Sequence, residues 1–366
     1  MHVPDGFINA PVSAVAGVVA AGAVAVSLKG ARRELGGTSR LSGAESGGER
    51  TAPLAGLVAA FIFAVQMLNF PVAAGTSGHL LGGALAAILV GPYTGILCIS
   101  VVLLMQGILF ADGGLTALGV NILDMGIVTT VVAYALFRGL VGVLPRTRRS
   151  MTAASFVAAL VSVPAAAAAF TLLYWIGGTT DIPIGKVFTA MVGVHVLIGI
   201  GEAAITALTV GAVIAVRPDL VHGARGLTAP LKLRIDGELV DAPAPARETA
   251  VAHRSTKGLW ATGLVTALVL AGFVSFYASA NPDGLEKVAT DQGIDKEAKD
   301  HAAKDSPLAD YGVKDVSDAR LSGGLAGIIG VGATLVVGSG AFYVVSRRRR
   351  TDDEPAHSDS RTDEKV

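Results

Sequence analysis

Apolar residues fall into runs long enough to cross a bilayer, parted by short polar stretches. A span needs about 20 such residues to cover ~30 Å of hydrocarbon. Runs of that order predict transmembrane helices over about Phe7–Leu28, Leu54–Phe70, Leu115–Phe137, Ala153–Ile176, Val187–Val216, Gly258–Ser279 and Leu321–Val345. From His79 to Phe110 one apolar stretch is split by Gly91-Pro92, which predicts a short helix, a tight turn and a second helix. The residues from His79 to the turn are too few to cross alone. Pro71–Gly78 is therefore expected to dip into the protein as non-helical backbone, which is tolerated at membrane depth only when buried in protein or lining a cavity. His79 is then inside.

Charge orients these spans. Lys29, Arg32 and Arg33 follow the first, with Arg40 and Arg50 in a Gly/Ser-rich linker, and Arg138, Arg146, Arg148 and Arg149 follow the fifth. The positive-inside rule assigns such loops to the cytoplasm, so the N-terminus is expected outside and the C-terminus inside. The expected fold is an all-α polytopic protein of the plasma membrane, a seven-helix core over 1–216 followed by a two-helix module over 258–346. Residues 217–257, with the DAPAPA sequence, are read as a cytoplasmic linker. The loop over 280–320 is read as extracytoplasmic, and 347–366 as a basic, then acidic cytoplasmic tail without fixed structure.

Composition agrees, with 52% hydrophobic and 16% charged residues against about 25% charged in soluble proteins. Lys+Arg and Asp+Glu balance at 29 each, so no overall field would recruit nucleic acid. The single cysteine, Cys98, excludes a disulfide framework or a Cys-based zinc site within one chain. It reads as a small packing residue.

The candidate chemistry begins at Met1-His2. No charged n-region precedes the first apolar run, so a free α-amine is expected, and the bulky His2 is expected to keep Met1 in place. The amine, the deprotonated backbone nitrogen of His2 and its Nδ1 can close two fused rings around one ion, leaving an in-plane position for a second histidine. Four planar nitrogens suit Ni(II) or Cu(II), with Co(II) possible, rather than the oxygen-seeking Mg(II) or Ca(II). His2 alone also reads as an ordinary terminal residue. On the same outer face lies the loop before His79, where Asn69, Thr76 and Ser77 are candidates to hydrogen-bond the ligands. A turn histidine capping a helix is the alternative.

Other polar residues carry two readings each. His195 and Glu202, seven apart on the last core helix, share a face and are candidates for relaying metal or protons, or equally for fixing helix packing. Asp112, Asn121 and Asp124 flank or enter the fifth helix and fit structure at least as well as transport. In PDGLEKVATDQG, Asp283 and Glu286 could attract metal, but a helix start with Asp283 as cap and Glu286 at its third position is the plainer account.

MHVPDGF, NFPVAAGTSGHLLGGALAAILVGPY, FADGGLTALGVNILDMG and HVLIGIGEAAITAL closely resemble the nickel/cobalt S-component of energy-coupling-factor (ECF) transporters, of the cobalamin-biosynthesis and nickel-uptake type. The likeness covers about residues 1–216. NPDGLEKVA and SPLADYGV resemble the small accessory subunit of the same systems, here fused into one chain. The resemblance implies that the Met1 α-amine, the backbone nitrogen and imidazole of His2 and the imidazole of His79 hold Ni(II) or Co(II) as the transported substrate. It also implies a transmembrane coupling protein and two cytosolic ATPases as partners in trans, since G-x-x-x-x-G-K-[ST] is absent from this sequence. The linker and the acidic tail have no counterpart in the family pattern.

Primary-active uptake is thus the expected function, with proton-coupled secondary transport through His195 and Glu202 as the alternative. An intramembrane metalloenzyme is disfavoured, because no H-E-x-x-H occurs and no carboxylate lies in helical spacing with His79.

Overall fold

The computed structural model describes residues 1–36, 47–73, 75–224, 232–235, 238–241 and 257–352. It is built from helices: α1 (Ala10–Gly36), α2 (Gly47–Gln66), α3 (Gly83–Val90), α4 (Pro92–Leu109), α5 (Leu118–Asn121), a π-helical stretch Ile122–Val128, α6 (Thr129–Val143), α7 (Arg148–Gly177) and α8 (Ile184–Val216). The second module contributes α9 (Lys257–Gly272), α10 (Gly284–Gln292) and α11 (Ala319–Asp352). Among the described residues, seven helices are long and apolar enough to cross a membrane, and α2 adds the shorter apolar segment Ala52–Gln66.

The described residues of Pro71–Gly78 are non-helical, as the shortness of the stretch that follows predicts. Phe70–Pro71 (β1) and Ser77–Gly78 (β2) pair antiparallel, Phe70 opposite Gly78 and Pro71 opposite Ser77. The chain then runs without helix to Gly82 and enters α3, every residue of which is buried. α3 is enclosed by α2, α4, α6, α7 and α8, so the centre of the core is a helix too short to span. Its turn into α4 is held by the Glu34 carboxylate of α1, which accepts the Tyr93 and Thr94 N–H groups at 3.2 and 2.7 Å. Pro92 opens α4, a position where its missing N–H costs nothing.

Several boundaries differ from expectation. α1 continues to Gly36, so Lys29, Arg32 and Arg33 lie on its last turns rather than beyond it. The 217–257 segment contains an antiparallel hairpin, Lys232–Ile235 (β3) with Glu238–Asp241 (β4), that its loop-like composition concealed. Ser346–Arg350 lie within α11 instead of following it, because nothing in SRRRR breaks a helix. The acidic end of the tail lies outside the described residues.

α11 packs along α2 through small residues. A Cβ built on Gly56 would stand 2.8 Å from the Ser339 backbone nitrogen, and one on Gly338 3.4 Å from Gly56 Cα. The two backbones touch. This crossing puts the loop between α9 and α11 over the end of the core where the chain begins.

Candidate metal centre

The first residues fold inward rather than trailing into solvent. Val3 is pinned by Asn121 of α5, which accepts the Val3 N–H at 2.7 Å and donates to the Val3 carbonyl at 3.2 Å. Asp5 accepts the Thr116 N–H at 2.8 Å and the Thr116 hydroxyl, while its own carbonyl takes the Lys299 N–H from the second module. Gly6 has φ +96°, and a Cβ there would stand 2.1 Å from the Glu297 carbonyl oxygen. Only glycine fits both demands. VPDG is therefore a folded anchor that delivers Met1 and His2 into the protein.

What it delivers them to is His79. Met1 is 3% exposed and His79 5%. The α-amine nitrogen stands 2.7 Å from His79 Nε2, and the two imidazole centroids of His2 and His79 are 5.1 Å apart. His79 Nδ1 faces the Leu80 carbonyl at 3.0 Å; with Nδ1 as the donor, Nε2 keeps its lone pair toward the amine. His2 Nδ1 is buried and has no hydrogen-bond partner among the described residues. A Cβ on Gly113, whose φ is +75°, would come within 3.3 Å of that same nitrogen, so the wall beside it is bare backbone. His2 Nε2 faces Asp112 Oδ2 at 3.6 Å. Burial lowers the His2 pKa to about 4 against the pull of Asp112, so the ring is neutral and this approach is not an ion pair.

The second module closes the other side. Asp283 caps α10 through Oδ1, accepting the Glu286 N–H at 2.8 Å, and Glu286 accepts the Asp283 N–H at 2.9 Å, a complete capping box. Its Oδ2 meanwhile accepts the Met1 amine at 2.5 Å and stands 3.6 Å from His79 Nε2. Burial would raise this carboxyl, but the positive amine and its hydrogen bond outweigh it and hold Asp283 well below the usual range. Tyr311 stacks on Phe110 with centroids 4.9 Å apart and donates its hydroxyl to Asp112 Oδ2 at 2.6 Å. Burial and the Asp112 charge push the Tyr311 phenol well up, which keeps it a donor. His301 Nε2 lies 3.1 Å from the Gly113 carbonyl.

The hydroxyl-rich loop before His79 acts differently from its reading as a support for the imidazole. Ser77 donates its hydroxyl to the Asn281 carbonyl at 2.8 Å and its N–H to that of Pro282. The Asn69 carbonyl accepts the Ser279 N–H at 2.7 Å. Thr76 is buried, its backbone closing the turn with Val72 and Ala73. Ser77 and the Asn69 carbonyl thus bind the accessory loop, because the hairpin turns its edge toward it.

His195 packs beneath the Gly284 turn next to Asp283, and Glu202 turns to the backbone before α3. Glu202 accepts the Leu81 and Gly82 N–H groups at 2.5 and 3.0 Å, filling the donors that the non-helical stretch before α3 leaves open. His195 Nδ1 accompanies the Met191 carbonyl at 2.7 Å on its own helix, and its other nitrogen has no partner among the described residues. Asp124 lies buried in the π-helical stretch, both oxygens without a partner among those residues. Sequence reasoning did not single out Tyr311 or His301. Their signal was present only in SPLADYGV and the loop before it, where nothing in spacing or hydropathy marks either residue.

Residues 2–220 match the family described as the cobalt uptake substrate-specific transmembrane region, and residues 257–347 match the PDGLE domain. A relative in Haloquadratum walsbyi named for metal transport is 38% identical over 60% of this chain and 93% of its own. One in Archaeoglobus fulgidus, named for fused nickel transport, is 37% identical over 61% of this chain and 68% of its own. A crystal structure described as a transition metal transporter superposes with a TM-score of 0.50 at 25% identity, covering 59% of this chain and 93% of that one. With a core matched almost end to end and an accessory module continuing it, the chain belongs to the cobalt-uptake substrate-specific transmembrane family, as a cobalt/nickel transport membrane protein fused to a PDGLE module.

Proposed function

We propose that the chain captures Ni(II) or Co(II) at the outer face as the substrate-binding subunit of an ATP-driven ECF importer, holding the ion through the Met1 α-amine, the backbone nitrogen and Nδ1 of His2, and Nε2 of His79. The observation that carries this reading is the Met1 amine 2.7 Å from His79 Nε2, with the His2 ring centroid 5.1 Å from that of His79 and its buried Nδ1 without a hydrogen-bond partner among the described residues. Two nitrogens bound at right angles to one ion, each about 2 Å from it, would be about 2.8 Å apart. The amine and His79 Nε2 stand at 2.7 Å. Among the described residues no group of three or more His, Cys, Asp or Glu side chains converges, so a set built on main-chain nitrogen is the one the local chemistry favours.

In this reading the N-terminus is outside and the C-terminus inside, supported by the basic residues after the first and fifth spans. A coupling protein and two ATPases supply the energy in trans. Proton-coupled transport is less favoured, since both Glu202 oxygens already serve backbone donors.

The test is to purify the full chain with its authentic N-terminus, measure which metal co-purifies and in what ratio, and record its visible spectrum. One ion per chain with a planar-nitrogen spectrum, lost in His2→Ala and His79→Ala while the protein still inserts, is expected. Uptake that persists without ATPases and dies with Glu202→Gln would replace this reading with the secondary transporter.

A further inference from the structure

Asp283 is held more firmly than capping a surface helix requires. Its Oδ1 is engaged by the Glu286 N–H, which leaves Oδ2 to the amine. From the core side, Ser77 fixes the turn by bonds to the Asn281 and Pro282 carbonyls. From below, a Cβ on Gly284 would lie 2.9 Å from Val194 and 3.1 Å from His195 Cε1, so the turn sits directly on α8. Both modules thus fix one buried carboxylate oxygen beside two of the proposed ligands.

Charge counting says what it is for. As ligands, an amine and two imidazoles bring no charge to a divalent ion, and a deprotonated backbone nitrogen brings one negative. One positive charge is left over. It would sit where Met1, His79 and Asp283 are all under a tenth exposed, and an uncompensated charge in such a place is strongly disfavoured. Asp112 faces the far ring nitrogen of His2 and is 27% exposed, so solvent screens it. Asp5 is committed to Thr116. We infer that Asp283, reaching across from the accessory module, is the charge-compensating residue of the captured ion, hydrogen-bonded to the amine without ligating the metal. The inference rests on the four-nitrogen reading above. It makes the fused module part of the binding site.

The experiment uses the full chain in detergent, titrated with Ni(II) against a competing chelator, with the visible spectrum recorded. Asn and Ser cap a helix about as well as Asp, so Asp283→Asn and Asp283→Ser keep the start of α10 and remove the charge together with the acceptor facing the amine. Both variants should bind one ion with an unchanged spectrum, weakened on the order of a hundredfold. Asp283→Glu should recover most of that loss. Affinity within about twofold of the parent in Asp283→Asn would overturn the inference, and so would a Glu variant as weak as the Asn one. A shifted spectrum in Asp283→Asn would also overturn it, since the carboxylate would then be setting the ligand geometry. If His2→Ala binds Ni(II) like the parent, the four-nitrogen reading itself fails, a result the Asp283 variants cannot mimic.

Discussion

The terminal cluster of Met1, His2 and His79 and the α8 pair of His195 and Glu202 are both polar groups enclosed by apolar side chains, yet their atoms are accounted for differently. Glu202 has each oxygen matched to a backbone donor, which is how a buried carboxylate is kept at a fixed place. His2 has a buried ring nitrogen with no partner among the described residues, as His195 does, but it sits on a segment anchored by Asn121, Thr116 and Lys299. Glu202 completes the scaffold, whereas the terminal cluster brings an amine and two imidazoles together. Ionisable residues inside spans draw attention first. Here the better candidates lie at the start of the chain, in residues that hydropathy alone passes over.

Three changes probe that contrast. The largest effect is expected from adding one glycine ahead of Met1. The amine is 2.7 Å from His79 and 2.5 Å from Asp283, so there is no room for another residue. Metal binding should be abolished at any accessible concentration, as read by equilibrium dialysis, while insertion is unchanged. Next comes Asp112→Asn. It weakens the group opposite His2 Nε2 and the acceptor of the Tyr311 hydroxyl. A loss of about tenfold to a hundredfold in affinity is expected, the range for a residue that orients a metal-binding histidine. Glu202→Gln should act mainly on the fold, because one of the Leu81 and Gly82 N–H groups keeps an acceptor and the other loses it. About 1–3 kcal/mol of stability should go, measured by thermal unfolding in detergent, with the spectrum of bound metal retained. Binding that is lost in Glu202→Gln but survives the added glycine would reverse the assignment of the two clusters.

Much of this architecture is legible in the sequence, and the reasons are physical. Long apolar runs locate the spans because the bilayer imposes a minimum length. The shortness of the stretch before Gly91-Pro92 forces the preceding residues to be non-helical, and β1, β2 and the residues up to Gly82 are so. The capping box at Asp283 follows from a D-x-x-E spacing that a helix start uses locally. The second bond of the same Asp283 does not follow, since it joins residues 282 positions apart. Tyr311 on Asp112 and Ser77 on Asn281 escape for the same reason. Each depends on how two modules dock, which periodicity within either one does not encode.

The seam between α2 and α11 has a mechanical consequence. With Gly56 against Ser339 and Gly338, the helices mesh main chain to main chain, and sliding either by a turn would drive a side chain into the other's ribbon. Core and accessory pair must therefore swing as one body if the subunit reorients in the bilayer. On the proposed function, the loop between α9 and α11 would then travel with the captured ion rather than staying behind as a fixed doorway.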